Sequence, residues 1–310
     1  MAAPTNSIIY TGIGDESTAE AMSLQYALLL KDRSSGFLSH PALFYIGSIN
    51  GGTSAVLKLP EMGTMGYDLL VSTTDGNPVG DTALTDSSAT VTVGKYAKSV
   101  EMSDMCGIVA GKLLNADIWA MDAIVSANMT LVSLVAALFS GFSVTVGTSG
   151  VNATLQNFLD ARTQLALSAV TGELLCVLHP VQWGDIVSDL ALNSGGAITF
   201  DAASMPLLAV SSIGYQGKLL GVDVYTSNYV ATANAGADRA GAMFGRGAIL
   251  WADGVPSIMP GDPFATLIAG KVLFEVDRAR KGGTTAFVST VYLGVIEGQD
   301  LAGVGIVTDA

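Results

Sequence analysis

His40 and His179 are the only imidazoles in the chain, each is followed by proline, and neither has a second ligand at HExxH or related spacing. Metal-assisted hydrolysis has no donor set here, and His179 reads as a strand-end residue. Glu275 and Asp277 share one face of a predicted strand, where paired carboxylates could work as general acid and base. They alternate with Phe274 and Val276, and Arg278, Arg280 and Lys281 nearby can neutralise them across an interface. Together with Lys271, those three make a modest basic cluster, able to touch phosphate or a carboxylate rim. The favoured reading is a contact between subunits.

The glycine-rich segments do no better as chemistry. Gly107-Ile-Val-Ala-Gly111-Lys112-Leu113 has one residue too few between its glycines for a phosphate loop, and a leucine where the Mg²⁺-binding hydroxyl belongs. Gly12-Ile-Gly14 lacks the third glycine, where Ser17 stands, and no βαβ unit follows, so dinucleotide binding is not expected. Gly147-Thr-Ser149-Gly150 is a turn with the wrong spacing for a nucleophile elbow. No catalytic residue, cofactor or metal is assigned, and the chain is not expected to be an enzyme.

The elements that would carry these residues follow from periodicity. Ser17-Thr-Ala-Glu20 has the form of a capping box, predicting a helix to about residue 32 within an N-terminal arm that lies on something else. Segments 53–59 and 89–102 are β-prone and flank a polar stretch rich in Gly, Thr and Asp, which predicts a long hairpin with an extended tip. After Ser103 a helical region carries Leu114, Ile118, Met121, Val125, Met129, Val132, Ala136 and Phe139 at spacings of three and four. That is a single helix of roughly 39 Å. Its other side bears Ala123, Ser126, Ala127, Thr130 and Ser133, small enough for another backbone to approach.

From Asn152 the pattern becomes α/β: a helix over 155–167, a strand over 174–178, and a helix over 181–192 closed by Gly195-Gly196. Trp183, Ile186, Val187 and Leu190 on that last helix recur at the spacing that lays one face on a sheet. A further strand is expected over 219–226, then a Gly/Ala-rich surface stretch over 231–246. Last comes a strand pair, 271–280 and 286–295, around Lys281-Gly282-Gly283.

Composition narrows the function class. The chain has 310 residues, 50% hydrophobic and only 13% charged, with a net charge of −13. A surface so poor in charge is expected to be buried in part against other subunits, and an acidic chain has no electrostatic footprint for gripping nucleic acid. Cys106 and Cys176 are the only cysteines and form no short-spaced pair, which suits a reducing cytoplasm. The N-terminus lacks the basic and apolar regions of a signal peptide. No charge occurs between Asp122 and Asp160, but polar residues interrupt the apolar run and no basic residue anchors it, so a buried helix is expected instead of a membrane span.

The order of arm, ribbon, long helix, α/β unit and returning strands resembles that of the major capsid proteins of tailed phages, whose fold is named after phage Hong Kong 97. Local text agrees. Lys95-Tyr-Ala-Lys-Ser-Val-Glu-Met-Ser-Asp104 is similar to that family's passage from extended loop into spine helix. Leu175-Cys-Val-Leu-His-Pro-Val-Gln-Trp183 is similar to its strand-to-helix step in the axial domain, Gly217 to Ser227 to a later axial strand, and Val272-Leu-Phe-Glu-Val-Asp-Arg278 to the return into the peripheral domain.

The resemblance implies an α+β fold with an arm at 1–45, an extended loop at 46–102, a peripheral domain with the spine helix at 103–150, an axial domain at 151–264 and return strands at 265–310. It implies hexamers and pentamers in an icosahedral shell around double-stranded DNA, built in the host bacterial cytoplasm and located in the virion. The implied partners are further copies of the chain, a portal protein at one vertex, and separate scaffolding or decoration proteins. DNA contact is expected to be weak and non-specific, and no membrane is involved. Some relatives begin with a cleaved scaffolding segment; the sequence opens at Met1 with no long charged stretch, so scaffolding is expected from another protein or not at all. Some cross-link through a loop lysine; Lys58, Lys95 and Lys98 match by position only, and cross-linking is not expected. Contact between subunits is expected at those lysines and at Glu275, Asp277, Arg278, Arg280 and Lys281. The rival readings are an encapsulin-like compartment shell and an α/β enzyme.

Overall fold

The computed structural model describes residues 7–8, 33–49, 55–62, 86–105, 116–193, 214–256, 265–268, 270–279 and 282–309. The expected N-terminal helix, the tip of the ribbon, Cys106, Gly195-Gly196, Arg280 and Lys281 lie outside the described residues.

The first strands are β1 (Ser7–Ile8), β2 (Leu43–Ile49), β3 (Val56–Met62), β4 (Asp86–Thr92) and β5 (Gly94–Ser103). The long helix α1 (Ala116–Ala137) leads to β6 (Thr145–Val146), α2 (Leu155–Leu167), β7 (Leu175–Leu178) and α3 (Pro180–Asn193). Next come β8 (Tyr215–Leu219), β9 (Val222–Thr226), β10 (Thr232–Ala233), β11 (Asp238–Phe244) and β12 (Ile249–Gly254). The chain closes with β13 (Ala265–Ile268), β14 (Val272–Ala279), β15 (Thr284–Glu297) and β16 (Gly303–Asp309).

Two seven-stranded sheets and one hairpin organise these elements. In the first sheet β15 pairs antiparallel with β5 along one edge and is shared by β14 and β12 along the other. β12 continues to β2, β14 to β13, and β5 to β1. The second sheet runs β6-β16-β11-β7-β9-β8, with β10 beside β11. β3 and β4 pair antiparallel from Val56↔Thr92 to Met62↔Asp86, which is the base of the expected ribbon. Consecutive strands cross between sheets: β11 lies in the second and β12 in the first, and β15 lies in the first and β16 in the second.

α1 forms where the sequence offers Ala, Leu, Met and Ile without Gly or Pro. Its expected stripe of Val125, Met129, Val132, Ala136 and Phe139 is buried. Met121 departs from it and is 48% exposed. At this end Trp119 and Ala123 belong to the core, with Trp119 stacked on Phe287 and Phe287 on Phe274, each pair at 6.0 Å. Met121 stands about 200° around the helix from Trp119, hence away from the sheet. The stretch Trp119–Gly141 is long and apolar enough to cross a membrane by length and composition. Here it packs on β14 and β15, with Val132, Val135 and Ala136 fully buried.

The second sheet is covered on both faces, which is why Leu175–Leu178 reads as an unbroken apolar run. Leu175 and Val177 join the core around α1, whereas Cys176 and Leu178 pack with Phe158 of α2 and Trp183, Ile186 and Leu190 of α3. Val187, expected on that helical face, is 37% exposed instead. α2 occupies the expected residues, and its N-cap Thr154 accepts the backbone N–H of Asn157 at 3.3 Å.

Two further expectations, both about strands, fail. The strand expected over 219–226 is a hairpin, β8 with β9, because Leu220 (φ 51°) and Gly221 (φ 85°) both adopt the left-handed conformation that a tight hairpin turn requires. The supposed surface stretch over 231–246 contains β11, which lies in the middle of the sheet with Ala240, Ala242, Met243 and Phe244 fully buried. Its small residues serve close approach: a Cβ on Gly241 would stand 3.0 Å from the carbonyl oxygen of Val177 and 2.9 Å from Gln182 Oε1. Gln182, itself buried, donates from its amide nitrogen to the carbonyl of Arg239 (3.0 Å) and to Thr308 Oγ1 (2.8 Å), joining α3 to β11 and β16.

Candidate functional site

The two histidines are structural in geometry. His179 directly follows β7, where its Nδ1 accepts the Val181 N–H at 3.3 Å and its backbone N–H donates to Gln182 Oε1 at 3.1 Å. Desolvation, with Arg239 adding to it, lowers its pKa and keeps the ring neutral. His40 Nδ1 accepts the Ala42 N–H at 3.2 Å, so the neutral ring carries its proton on Nε2, which faces Asp223 Oδ2 at 3.3 Å. Both His40 nitrogens and His179 Nδ1 are thus committed to local hydrogen bonds.

Asp223 collects further partners. Tyr215 donates its hydroxyl to Oδ1 at 3.1 Å, and Lys218 Nζ lies 3.5 Å from Oδ2. Burial and this carboxylate push the Tyr215 hydroxyl up to about 12. The cluster fastens the turn before β2 to the β8–β9 hairpin. Nothing in the sequence signalled it, since His40 and Asp223 are 183 positions apart.

Strand alternation and register place Glu275 and Asp277 on one face of the first sheet, opposite Val288 and Ala286 of β15. Ser99 and Glu101 of β5 stand across those same residues, so Glu101, Glu275 and Asp277 share the face turned away from α1. Glu275 is half-buried and Asp277 exposed. Arg278 projects to the other side and pairs with Asp104 at 3.1 Å, so it does not neutralise the two carboxylates beside it. Lys95 is exposed opposite Tyr292, and Lys58 is exposed on β3 opposite Thr90. Lys98 lies on the α1 side, ion-paired with Asp122 and donating to Ser126 Oγ at 3.3 Å. It borders a cleft of about 220 Å³ between α1 and the sheet, lined by Ala123, Ser126, Ala127 and Thr130, the small-residue side read from the sequence.

A second ionic cluster escaped the sequence reading. Asp253 accepts the Tyr45 hydroxyl at 2.7 Å and pairs with Lys271 at 2.8 Å. The Lys271 ammonium sits over the rings of Trp251 and Tyr45, 4.8 and 5.3 Å from their centroids. Burial and Asp253 push the Tyr45 hydroxyl up to about 12. The ring faces are thus occupied from within the chain. Among the described residues no group of three His, Cys, Asp or Glu side chains is placed to hold a metal ion.

No family model matches this chain, and no curated protein sequence does. Solved structures are similar to it. The capsid protein of cyanophage P-SCSP1u shares 13% identity and a TM-score of 0.60 over 86% of each chain. That of Ralstonia phage GP4 shares 14% identity at a TM-score of 0.58, covering 100% of this chain and 95% of the other. The cyanophage Pam1 capsid shares 15% identity at 0.58, over 90% and 93%. At such identities the likeness is one of fold: the chain has the α+β fold of phage capsid proteins along nearly its full length.

Proposed function

We propose that this chain is the major capsid protein of a tailed phage, forming hexamers and pentamers of an icosahedral shell around double-stranded DNA. The observation that carries the proposal is the match of fold over the entire chain with a phage capsid of almost the same extent. The role is structural and not enzymatic. A shell subunit needs broad contacts with its copies and projecting elements that reach across them, and an unusually low charge supports such packing.

In this reading residues 1–45 are the arm, 46–102 the extended loop, 103–150 the spine-helix region, 151–264 the axial region and 265–310 the return strands. Lys58, Lys95, Lys98, Glu275, Asp277, Arg278, Arg280 and Lys281 are contact residues between subunits; Lys98 and Arg278 also pair within the chain. The shell assembles in the host bacterial cytoplasm, with a portal at one vertex and scaffolding or decoration supplied by other proteins.

The genome is held by containment. With a charge of −13, contact with phosphate is local, weak and indifferent to sequence. Electron microscopy of purified material is the test, combined with nuclease treatment: closed icosahedral particles with protected double-stranded DNA are expected. Particles filled with an enzyme instead of DNA would indicate a cargo compartment, and only monomers with a catalytic activity would overturn the shell reading. Isolated subunits should show no gel shift with duplex DNA at physiological salt; tight or sequence-selective binding there contradicts the proposal.

A further inference from the structure

We propose that the recess between the end of α2 and the turn joining β15 to β16 receives a second copy of this chain, which sets a carboxylate against Arg246 between Leu167 and Leu301. The proposal rests on the shell reading and names one contact within it. Leu167, 74% exposed, and Leu301, 64% exposed, are the two most exposed large apolar side chains among the described residues. Leu167 closes α2, and Leu301 lines a recess of about 390 Å³ whose wall continues from Ser168 to Thr171. Single exposed apolar residues are ordinary, but two leucines beside one recess make a surface suited to a partner.

The walls are fixed before any partner arrives. Gly245 donates its N–H to the Ala302 carbonyl at 2.9 Å, and Gly298 and Gln299 donate theirs to the carbonyls of Ala248 (2.8 Å) and Gly247 (2.9 Å). The turn is thereby laced to the connection between β11 and β12 that carries Arg246. Gly245 also lets the end of α2 come close, since a Cβ there would stand 2.4 Å from Val170 Cγ1. Ala169 lines the recess at φ 54°, the left-handed helix-end position that usually belongs to glycine. A surface held this way loses little freedom on docking.

Charge names the occupant. Arg246 is exposed and holds its guanidinium 5.0 Å above the Phe44 ring. Asp300, the one carboxylate in the lining, is engaged by Ser143: one oxygen accepts the backbone N–H at 2.8 Å and the other accepts the hydroxyl. A copy of this chain carries 27 acidic residues against 14 basic ones, so the counter-charge it brings to an exposed arginine is a carboxylate. The weakly hydrated guanidinium, set among apolar side chains, suits an ion pair at an interface. Two leucines and one recess cover far less than the roughly 800 Å² per partner of a stable pair, so the contact holds only as one of several in a closed assembly.

The test compares the shells formed by the wild type with those of Leu167→Asp, Leu301→Asp and Arg246→Glu at equal protein concentration, by size-exclusion chromatography and electron microscopy. Thermal melting of the unassembled subunits runs alongside. All three positions are exposed, so melting temperatures should stay close to that of the wild type while the yield of closed shells falls at least about tenfold. Undiminished yield from any of the three overturns this contact and leaves the shell reading standing; a wild type that forms no shells overturns both. Should a variant not fold, amide exchange of the wild type decides. Residues 168–171 and 299–302 must exchange more slowly in shells than in free subunits, and equal rates overturn the proposal.

Discussion

Lys271 holds its ammonium 2.8 Å from the Asp253 carboxylate, a group only 1% exposed, while its own side chain is about half exposed. One partner is therefore deeply dependent on the other. Lys271→Met leaves Asp253 buried with only the Tyr45 hydroxyl for company. Breaking a buried pair costs about 3–5 kcal/mol, and access of water at the lysine end reduces this to about 1–3 kcal/mol here. Chemical denaturation measures it, and adding Asp253→Asn should recover most of the loss. Equal stability of wild type and Lys271→Met would show that water already satisfies Asp253.

The long helix gives a matched pair of substitutions. Val132 is fully buried, so Val132→Asp places an uncompensated charge in the core at a cost of several kcal/mol, and loss of soluble expression is expected. Met121→Asp on the exposed side should stay within about 0.5 kcal/mol of wild type. Similar behaviour of the two would mean that the helix is not packed as described.

Asp238 carries an acid dependence. Hydrogen bonds from the Ser149 side chain, from Asn234 and from the Gly150 N–H hold its pKa below the ordinary 3.8. Its contribution to stability is thus present above that value and is lost as pH falls below it. Asp238→Asn should flatten the decline of melting temperature on the acid side of 3.8 while lowering stability at neutral pH. An unchanged acid limb in the variant assigns that decline to other carboxylates.

Deleting residues 63–87 shortens the hairpin whose base pairs Val56–Met62 with Asp86–Thr92. A two-stranded ribbon is marginal alone and is stabilised by packing on another surface. The expectation is soluble subunits that fail to form stable shells, read by size-exclusion chromatography and microscopy. Normal particles of undiminished heat resistance would remove the ribbon from assembly.

How far local pattern reaches is plain from α2, which spans the residues read from periodicity, and from β14 and β15, which pair around Gly282-Gly283 as expected. Both signals are contained within a few turns or one hairpin, so neighbours in sequence decide them. β11 shows the limit. Asp238–Phe244 is rich in Ala and Gly and carries little hydrophobic signal of its own, yet it is central because β7 and β16 close on either side and need small residues between them and α3.

The contact residues divide in the same way. That Glu275 and Asp277 share a strand face followed from alternation. That Arg278 pairs with Asp104 instead depends on a residue 174 positions away. By itself the sequence determined α1, α2 and α3, the β3–β4 and β14–β15 hairpins, the low charge and the lack of a metal-binding spacing, because each is a property of local order or of composition. Only the tertiary structure decided which helical face meets a sheet, which carboxylates are buried and who partners them. Those outcomes follow from sheet registers that join residues such as His40 and Asp223, or Ser143 and Asp300, across more than half the chain.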